Sequence, residues 1–287
     1  SVEIIDECAF DGCISFTQIT IPSSVKKIGK RAFEGCSSLS QIMIPDKSVE
    51  LIDEYAFNGC SSITQITIPS SVKIIGVAAF AGCSSLIRIK MLGESVEQIG
   101  ANAFDGCSSI TRITIPSSTE KIGDYCFRNC VSLIKVTLPK SLSRIEMHTF
   151  WNCKSLTKVK AEQRITQQFL DHGNKLCEYL ENTSNQVEAC RWFLIAANNK
   201  YVAGMVKYAM FVEKGEFVPI NLKAACYYYK KAADSGNEAG LLSYIKMIVE
   251  GIEENITDAE ACYYYLMAAN IGKTIGMVQL GIMLENG

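Results

Sequence analysis

Along the first half of the chain, polar and apolar positions alternate in short bursts. Gln65-Ile66-Thr67-Ile68 is one such burst, and its alternation predicts a strand with one buried face. Each burst is framed in the same way. "AFEGCSSLSQIMIP" at 32–45 returns as "AFNGCSSITQITIP" at 56–69 and "AFDGCSSITRITIP" at 103–116, with four weaker copies. Phe10, Phe33, Phe57, Phe80, Phe104, Phe127 and Phe150 are each followed three residues later by a cysteine: Cys13, Cys36, Cys60, Cys83, Cys107, Cys130 and Cys153. The unit is therefore 23 or 24 residues long. A fixed period in this range marks a repeat architecture.

After the strand a proline follows in most units (Pro22, Pro45, Pro69, Pro116, Pro139), with Leu92 as the exception. Next come Val25, Val49, Val72, Val96, Thr119 or Leu142, and then an isoleucine, from Ile28 to Ile145. One unit holds too few apolar residues to bury its own core, so the units must stack and share one. Stacked parallel strands lie about 4.8 Å apart, which turns Phe and Cys into vertical ladders. Free cysteine behaves there as a small hydrophobe, and side chains pointing in parallel do not favour disulfides between rungs. Cys8 and Cys126 lie off the ladder, Cys126 in place of the alanine of Ala-Phe.

From about Ala161 the pattern changes. Ala225, Tyr228, Tyr229 and Ala232 follow i, i+3, i+4, i+7, one face of a helix. Cys190, Cys226 and Cys262 are 36 residues apart; Gly204, Gly240 and Gly276 share that register, as do Gly215, Gly251 and Gly287. A second helix is expected over about 238–250, ending at Gly251 as glycine-capped helices do. The unit is thus a helical hairpin whose matched alanines and glycines allow close approach. Gly173 keeps the register upstream, so residues 162–180 are expected to form the second helix of a degenerate earlier unit and to cap the stack. Lys200 occupies the turn position that Gly236 and Gly272 hold later.

The Ala-Phe-x-x-Cys-x-x-Leu-x-x-Ile-x-Ile-Pro unit resembles the BspA-like (treponemal) class of leucine-rich repeat. The resemblance covers 1–160 in about seven units and implies a right-handed binding solenoid, known in surface adhesins. "ACYYYKKAADSGNEAG" at 225–240 and "ACYYYLMAANIG" at 261–272 resemble Sel-one-like repeats, relatives of the tetratricopeptide repeat. That resemblance covers 161–287 and implies scaffolding of protein complexes. The expected fold class is two fused solenoids, a β-rich leucine-rich-repeat solenoid followed by an all-α helical-hairpin solenoid.

Composition narrows the function. The chain has 287 residues and a formal net charge of −2, which favours neither nucleic acid nor membrane, and no apolar run is long enough to span a bilayer. It begins at Ser1 in mid-pattern, which reads as a fragment. Thirteen cysteines without a C-x-x-C pair, and only two histidines, do not suit zinc. His148 and His172 are expected to be surface residues without a nucleophile nearby. "GKT" at 272–274 lacks the upstream glycine of a phosphate loop, so neither a cofactor nor catalysis is expected. Asn182 and Asn255 head glycosylation sequons, relevant only if the protein is secreted.

Two surfaces stand out as candidate partner sites. The fifth residue after each ladder cysteine should point outward: Gln18, Gln41 and Gln65, then Arg88, Arg112, Lys135 and Lys158. Lys90 and Lys160 join them at the seventh position. This basic ladder suits a protein partner with an acidic segment; the negative net charge and the absence of interleaved aromatics argue against nucleic acid. On the helical repeats, Tyr227 and Tyr263 share a position facing away from the alanine stripe, with Arg191 at the equivalent place. The expected function is a non-enzymatic interaction scaffold, with a cell-surface adhesin of a bacterium or protozoan as the alternative. Abundant thiols favour the cytoplasm over the surface, and the chain ends are expected to self-associate or to expose an apolar patch.

Overall fold

The structure, a computed structural model, describes residues 2–178 and 183–286. It divides into two compact units, Ser1–Gln168 and Phe169–Gly287.

The first unit is a β-solenoid whose coils are joined by three hydrogen-bonded ladders. The longest strands are those read from the alternating bursts. They pair in parallel as Gln18–Thr20 with Gln41–Met43, Gln65–Ile68 with Arg88–Met91, and Arg112–Thr114 with Lys135–Thr137 and Lys158–Lys160. A second column, not anticipated as strand, forms the most continuous sheet. Its members are Ile4–Ile5, Lys27–Ile28, Leu51–Ile52, Ile74–Ile75, Gln98–Ile99 and Lys121–Ile122. The third ladder needs no strand: the Phe33 N–H donates to the Ala56 carbonyl at 2.8 Å, and Phe57 to Ala79 at 2.7 Å, coil after coil. Where these ladders run, backbone groups are satisfied in the neighbouring coil.

The first column breaks twice, after Gln41–Met43 and after Arg88–Met91. Both breaks fall in the 24-residue units, Cys36 to Cys60 and Cys83 to Cys107. In each, one extra residue sits at the corner between strand and valine, and the strand that follows is no longer paired to the one before. The two-residue column runs on through both.

Inside, Phe33 through Phe150 are buried, and successive rings stack in parallel with centroids 5.0–5.7 Å apart from Phe10 onward. Phe10 is half-buried, with Phe16 edge-on beside it. The ladder cysteines do more than fill space. The Cys60 thiol donates to the Phe33 carbonyl at 3.1 Å, Cys83 to Phe57 at 3.3 Å and Cys107 to Phe80 at 3.2 Å. Each thiol thereby ties its coil to the one before. Thr119, in the valine column, is fully buried and its hydroxyl donates to the Val96 carbonyl at 2.7 Å, so the polar substitution is satisfied. Asn129 and Asn152 take the left-handed turn position held in earlier coils by Gly12, Gly35, Gly59, Gly82 and Gly106. Asparagine is the ordinary substitute for glycine there.

The last strand ends at Lys160, and helix α1 (Gln163–Cys177) follows. Its first residues stand in for a missing coil. Gln168 Oε1 accepts the Ile145 N–H at 2.9 Å and its amide donates to the Ser143 carbonyl at 3.1 Å, while Arg164 donates to the Lys140 and Leu142 carbonyls.

The second unit continues α1 with α2 (Thr183–Asn198), α3 (Val202–Lys214), α4 (Leu222–Asp234), α5 (Glu238–Val249), α6 (Asp258–Asn270) and α7 (Thr274–Asn286). Asn221 and Asn237 cap α4 and α5 by accepting N–H groups, and Thr257 with Glu260 forms a capping box on α6. The helices of each hairpin meet at small residues. A Cβ on Gly204 would lie 2.6 Å from the Ala196 Cβ, and one on Gly240 would lie 2.4 Å from the Ala232 Cβ. Consecutive hairpins are pinned by tyrosines in one register: Tyr228 donates to Asn198 and Tyr264 to Asp234, both at 2.7 Å.

Lys200 adopts φ 65°, in the left-handed region where Gly236 and Gly272 have φ 78°. The turn geometry is thus imposed on a residue that disfavours it. Lys200→Gly is expected to stabilise the protein by roughly 0.5–1 kcal/mol, the left-handed penalty less the extra chain entropy that glycine loses. A raised midpoint in urea unfolding is the check; a lowered one would mean that the lysine side chain itself holds the turn.

Candidate functional site

In the first unit, Arg88, Lys90, Arg112, Lys135, Lys158 and Lys160 are all exposed on the first strand column. Alternation places Ile89, Ile113, Val136 and Val159 on the opposite, inward side. Arg112 pairs in register with Lys135, and Lys135 with Lys158. Arg88 pairs instead with Gln65, because the column breaks beyond it. The expected ladder of six is therefore a pair of cations on Arg88–Met91 and a separate block of four on the last three strands.

None of the six has an ion-pair partner among the described residues, whereas cations elsewhere on this unit do. Lys27 meets Asp53 at 2.7 Å, Lys30 meets Glu54 at 3.0 Å, and Arg128 meets Asp105 at 2.5 Å. Like charges in register on neighbouring strands repel. The block is thus held in place by the stack and offers uncompensated positive charge to solvent. The neutral start of the same column differs: Gln18, Gln41, Gln65 and Met43 line a groove of about 570 Å³, and Met43 is 65 % exposed.

In the second unit, Tyr227 and Tyr263 are 55 % and 56 % exposed. Each packs edge-on against the following tyrosine, with centroids 5.0 and 5.2 Å apart. Arg191 departs from the expected pattern. Its side chain is only 11 % exposed and is ion-paired to Glu188 one turn earlier on α2, so it is folded down rather than presented. The last helix is apolar nearly all round, and Met277, Val278, Ile282 and Leu284 remain exposed. In α5 the register equivalents of Met277 and Gly281, Leu241 and Ile245, are buried.

The histidines are not simple surface residues. His148 stacks on Tyr125 with centroids 4.7 Å apart, and its Nδ1 lies 3.2 Å from Asp124; His172 lies edge-on to Trp192. Burial pushes the Cys36, Cys60, Cys83 and Cys107 thiols up, Cys83 to about 12, away from the thiolate that nucleophilic or metal chemistry needs. Among the described residues no cluster of His, Cys, Asp or Glu could hold a metal ion. No helix among them is long and apolar enough to cross a membrane. Gly272 forms a repeat turn ahead of Thr274, the first residue of α7. Asn255 is exposed in a loop; Asn182 and Gly287 lie outside the described residues.

Comparison with known proteins places these features in families. The model of the BspA type leucine rich repeat region matches residues 1–94 and 90–172. The Sel1 repeat model matches 180–201, 202–237 and 250–273. Among solved structures, a leucine rich cell surface protein from Faecalibacterium prausnitzii is 27% identical, covering 57% of this chain and 52% of its own, with a TM-score of 0.44. A leucine-rich repeat protein from Eubacterium ventriosum is 30% identical over 53% of this chain and 40% of its own, with a TM-score of 0.49. A Sel1 repeat protein from Oxalobacter formigenes is 18% identical over 40% of this chain and 87% of its own, with a TM-score of 0.36. The chain thus spans about half or less of the two leucine-rich relatives. No curated protein matches it. The repeat models, with the stacked Phe and Cys ladders and the Gly–Ala hairpins they describe, show that this chain belongs to the BspA type leucine rich repeat family and carries Sel1 repeats behind those coils.

Proposed function

We propose that the protein is a non-enzymatic interaction scaffold that binds partner proteins through its solenoid faces. The first strand column holds an acidic segment of the partner. The observation that carries this is the in-register row of Arg112, Lys135 and Lys158, with Lys160 beside it, exposed and without a carboxylate partner among the described residues. An acidic segment bound along this row would relieve the repulsion between its cations. Coulomb attraction at an exposed face is screened by salt, so binding should weaken as ionic strength rises.

A labelled oligoglutamate peptide, followed by fluorescence anisotropy, tests the reading. Arg112→Glu with Lys135→Glu should weaken binding at least tenfold, as expected when charge complementarity is reversed at neighbouring sites. Gln18→Glu with Gln41→Glu should leave it nearly unchanged. Affinity indifferent to salt and to the Arg112/Lys135 reversal would overturn the proposal. All thirteen cysteines are free in this fold, which supports a reducing compartment such as the cytoplasm. The cell-surface alternative predicts fewer than thirteen titratable thiols in the denatured natural protein.

A further inference from the structure

The helical unit carries a second recognition feature, independent of the strand column. A groove of about 450 Å³ runs between the ends of α2 and α4, lined by Asn198, Lys200, Tyr227, Tyr228, Lys231 and Asp234 among others. Three observations converge there. Tyr227 is 55 % exposed and stands perpendicular to Tyr228, so much of its ring faces solvent. The Lys231 ammonium lies 5.7 Å from the centre of that ring, and both Lys231 and Lys200 are exposed with no ion pair among the described residues. Lys200 is also held at φ 65° where the register otherwise uses glycine. Strain kept at the rim of a groove points to a use for the side chain.

The remaining polar groups of the groove are engaged. Tyr228, whose phenol burial raises to about 12, donates to Asn198. Asp234 accepts from the Tyr264 hydroxyl. Two cations and a flat aromatic surface are what the groove offers. The next hairpin repeats the tyrosine as Tyr263, but thirty-six residues on from Lys200 and Lys231 stand Gly236 and Met267. The positions equivalent to Lys200 and Lys231 beside Tyr263 therefore carry no cation.

The geometry points to a peptide-binding site in this groove for a segment that places an aromatic side chain beside a carboxylate. The aromatic ring lies on Tyr227, and the carboxylate is shared by Lys231 and Lys200. Neither component suffices alone: an exposed ion pair contributes little by itself, and the platform without cations does not choose between apolar segments.

The probe is a labelled peptide of alternating Trp and Asp, read by fluorescence anisotropy, with Trp-Asn and Gly-Asp peptides as controls. The Trp-Asp peptide should bind at least tenfold more tightly than either control. Lys231→Met with Lys200→Gly, which copies the neighbouring hairpin, should weaken it about tenfold. Tyr227→Ala should do the same, and Tyr263→Ala should not. Lys200→Gly alone should raise the unfolding midpoint while lowering affinity; a purely structural lysine would change only the midpoint. The inference is overturned if the three peptides bind alike, or if Lys231→Met with Lys200→Gly leaves affinity unchanged. It is also overturned if Arg112→Glu with Lys135→Glu abolishes binding, because the peptide would then sit on the strand column.

Discussion

Phe104→Ala should destabilise the protein by about 3–5 kcal/mol, the usual range for a buried aromatic truncated in a core that cannot collapse around the gap. The ring is fully buried and stacks on Phe80 and Phe127 with centroids 5.5 Å away on each side. Both neighbours are held by backbone hydrogen bonds to their own adjacent coils, so neither can move in to fill the space. The loss is a large share of the roughly 5–15 kcal/mol that a domain has to spare. Phe10 provides the contrast. It is half-buried and stacks only on Phe33, with Phe16 beside it, so Phe10→Ala should cost roughly 1–2 kcal/mol. Urea titrations of the two variants give the comparison, and equal losses would count against a core shared between coils.

The second large effect is expected in the helical unit, and its sign opposes helix propensity. An exposed helical glycine replaced by a better helix former normally gains up to about 1 kcal/mol. Gly240→Leu should instead lose about 3 kcal/mol, at the upper end of overpacking costs. Even the first added carbon would lie 2.4 Å from the Ala232 Cβ and 3.2 Å from the Ala232 backbone carbon. The two helices of the hairpin would have to separate, taking the Asn237 cap with them. Gly281→Ala is the control: its Cβ would meet nothing within 4 Å, so the propensity gain should appear there undiminished. Thermal melts of both variants would settle the signs; a Gly240→Leu protein as stable as its parent would mean that the hairpin does not rely on that close approach.

The ladders, the hairpins and the change of period near Ala161 were legible because each rests on a residue type recurring at fixed spacing. The two-residue strand column was not, since Lys27-Ile28 is too short to display alternation; only its recurrence over six coils makes it a sheet. The two breaks in the first column were written in the spacing of the cysteines, as the 24-residue units. Their meaning depends on where in the coil the extra residue falls. Arg191 was misplaced because its register matches Tyr227, while Glu188 one turn away decides where the side chain goes. The groove beside Tyr227 combines residues from the ends of two helices and a turn, and no local pattern announces it. Lys200 in a glycine position and the outward register of Tyr227 were its signs in the sequence.

The thiol column also makes the solenoid its own recorder of opening. A sulfhydryl reagent reaches a buried cysteine only when its coil comes loose, because the thiol must leave its carbonyl and ionise. Cys8 is exposed and Cys13 half-exposed, whereas Cys60, Cys83, Cys107 and Cys130 are sealed. Mass spectrometry of alkylated peptides over time would thus read the molecule coil by coil, without a single engineered label. Fraying from the Cys13 end would appear as a wave of modification travelling inward, and all-or-none opening as simultaneous capture of every rung.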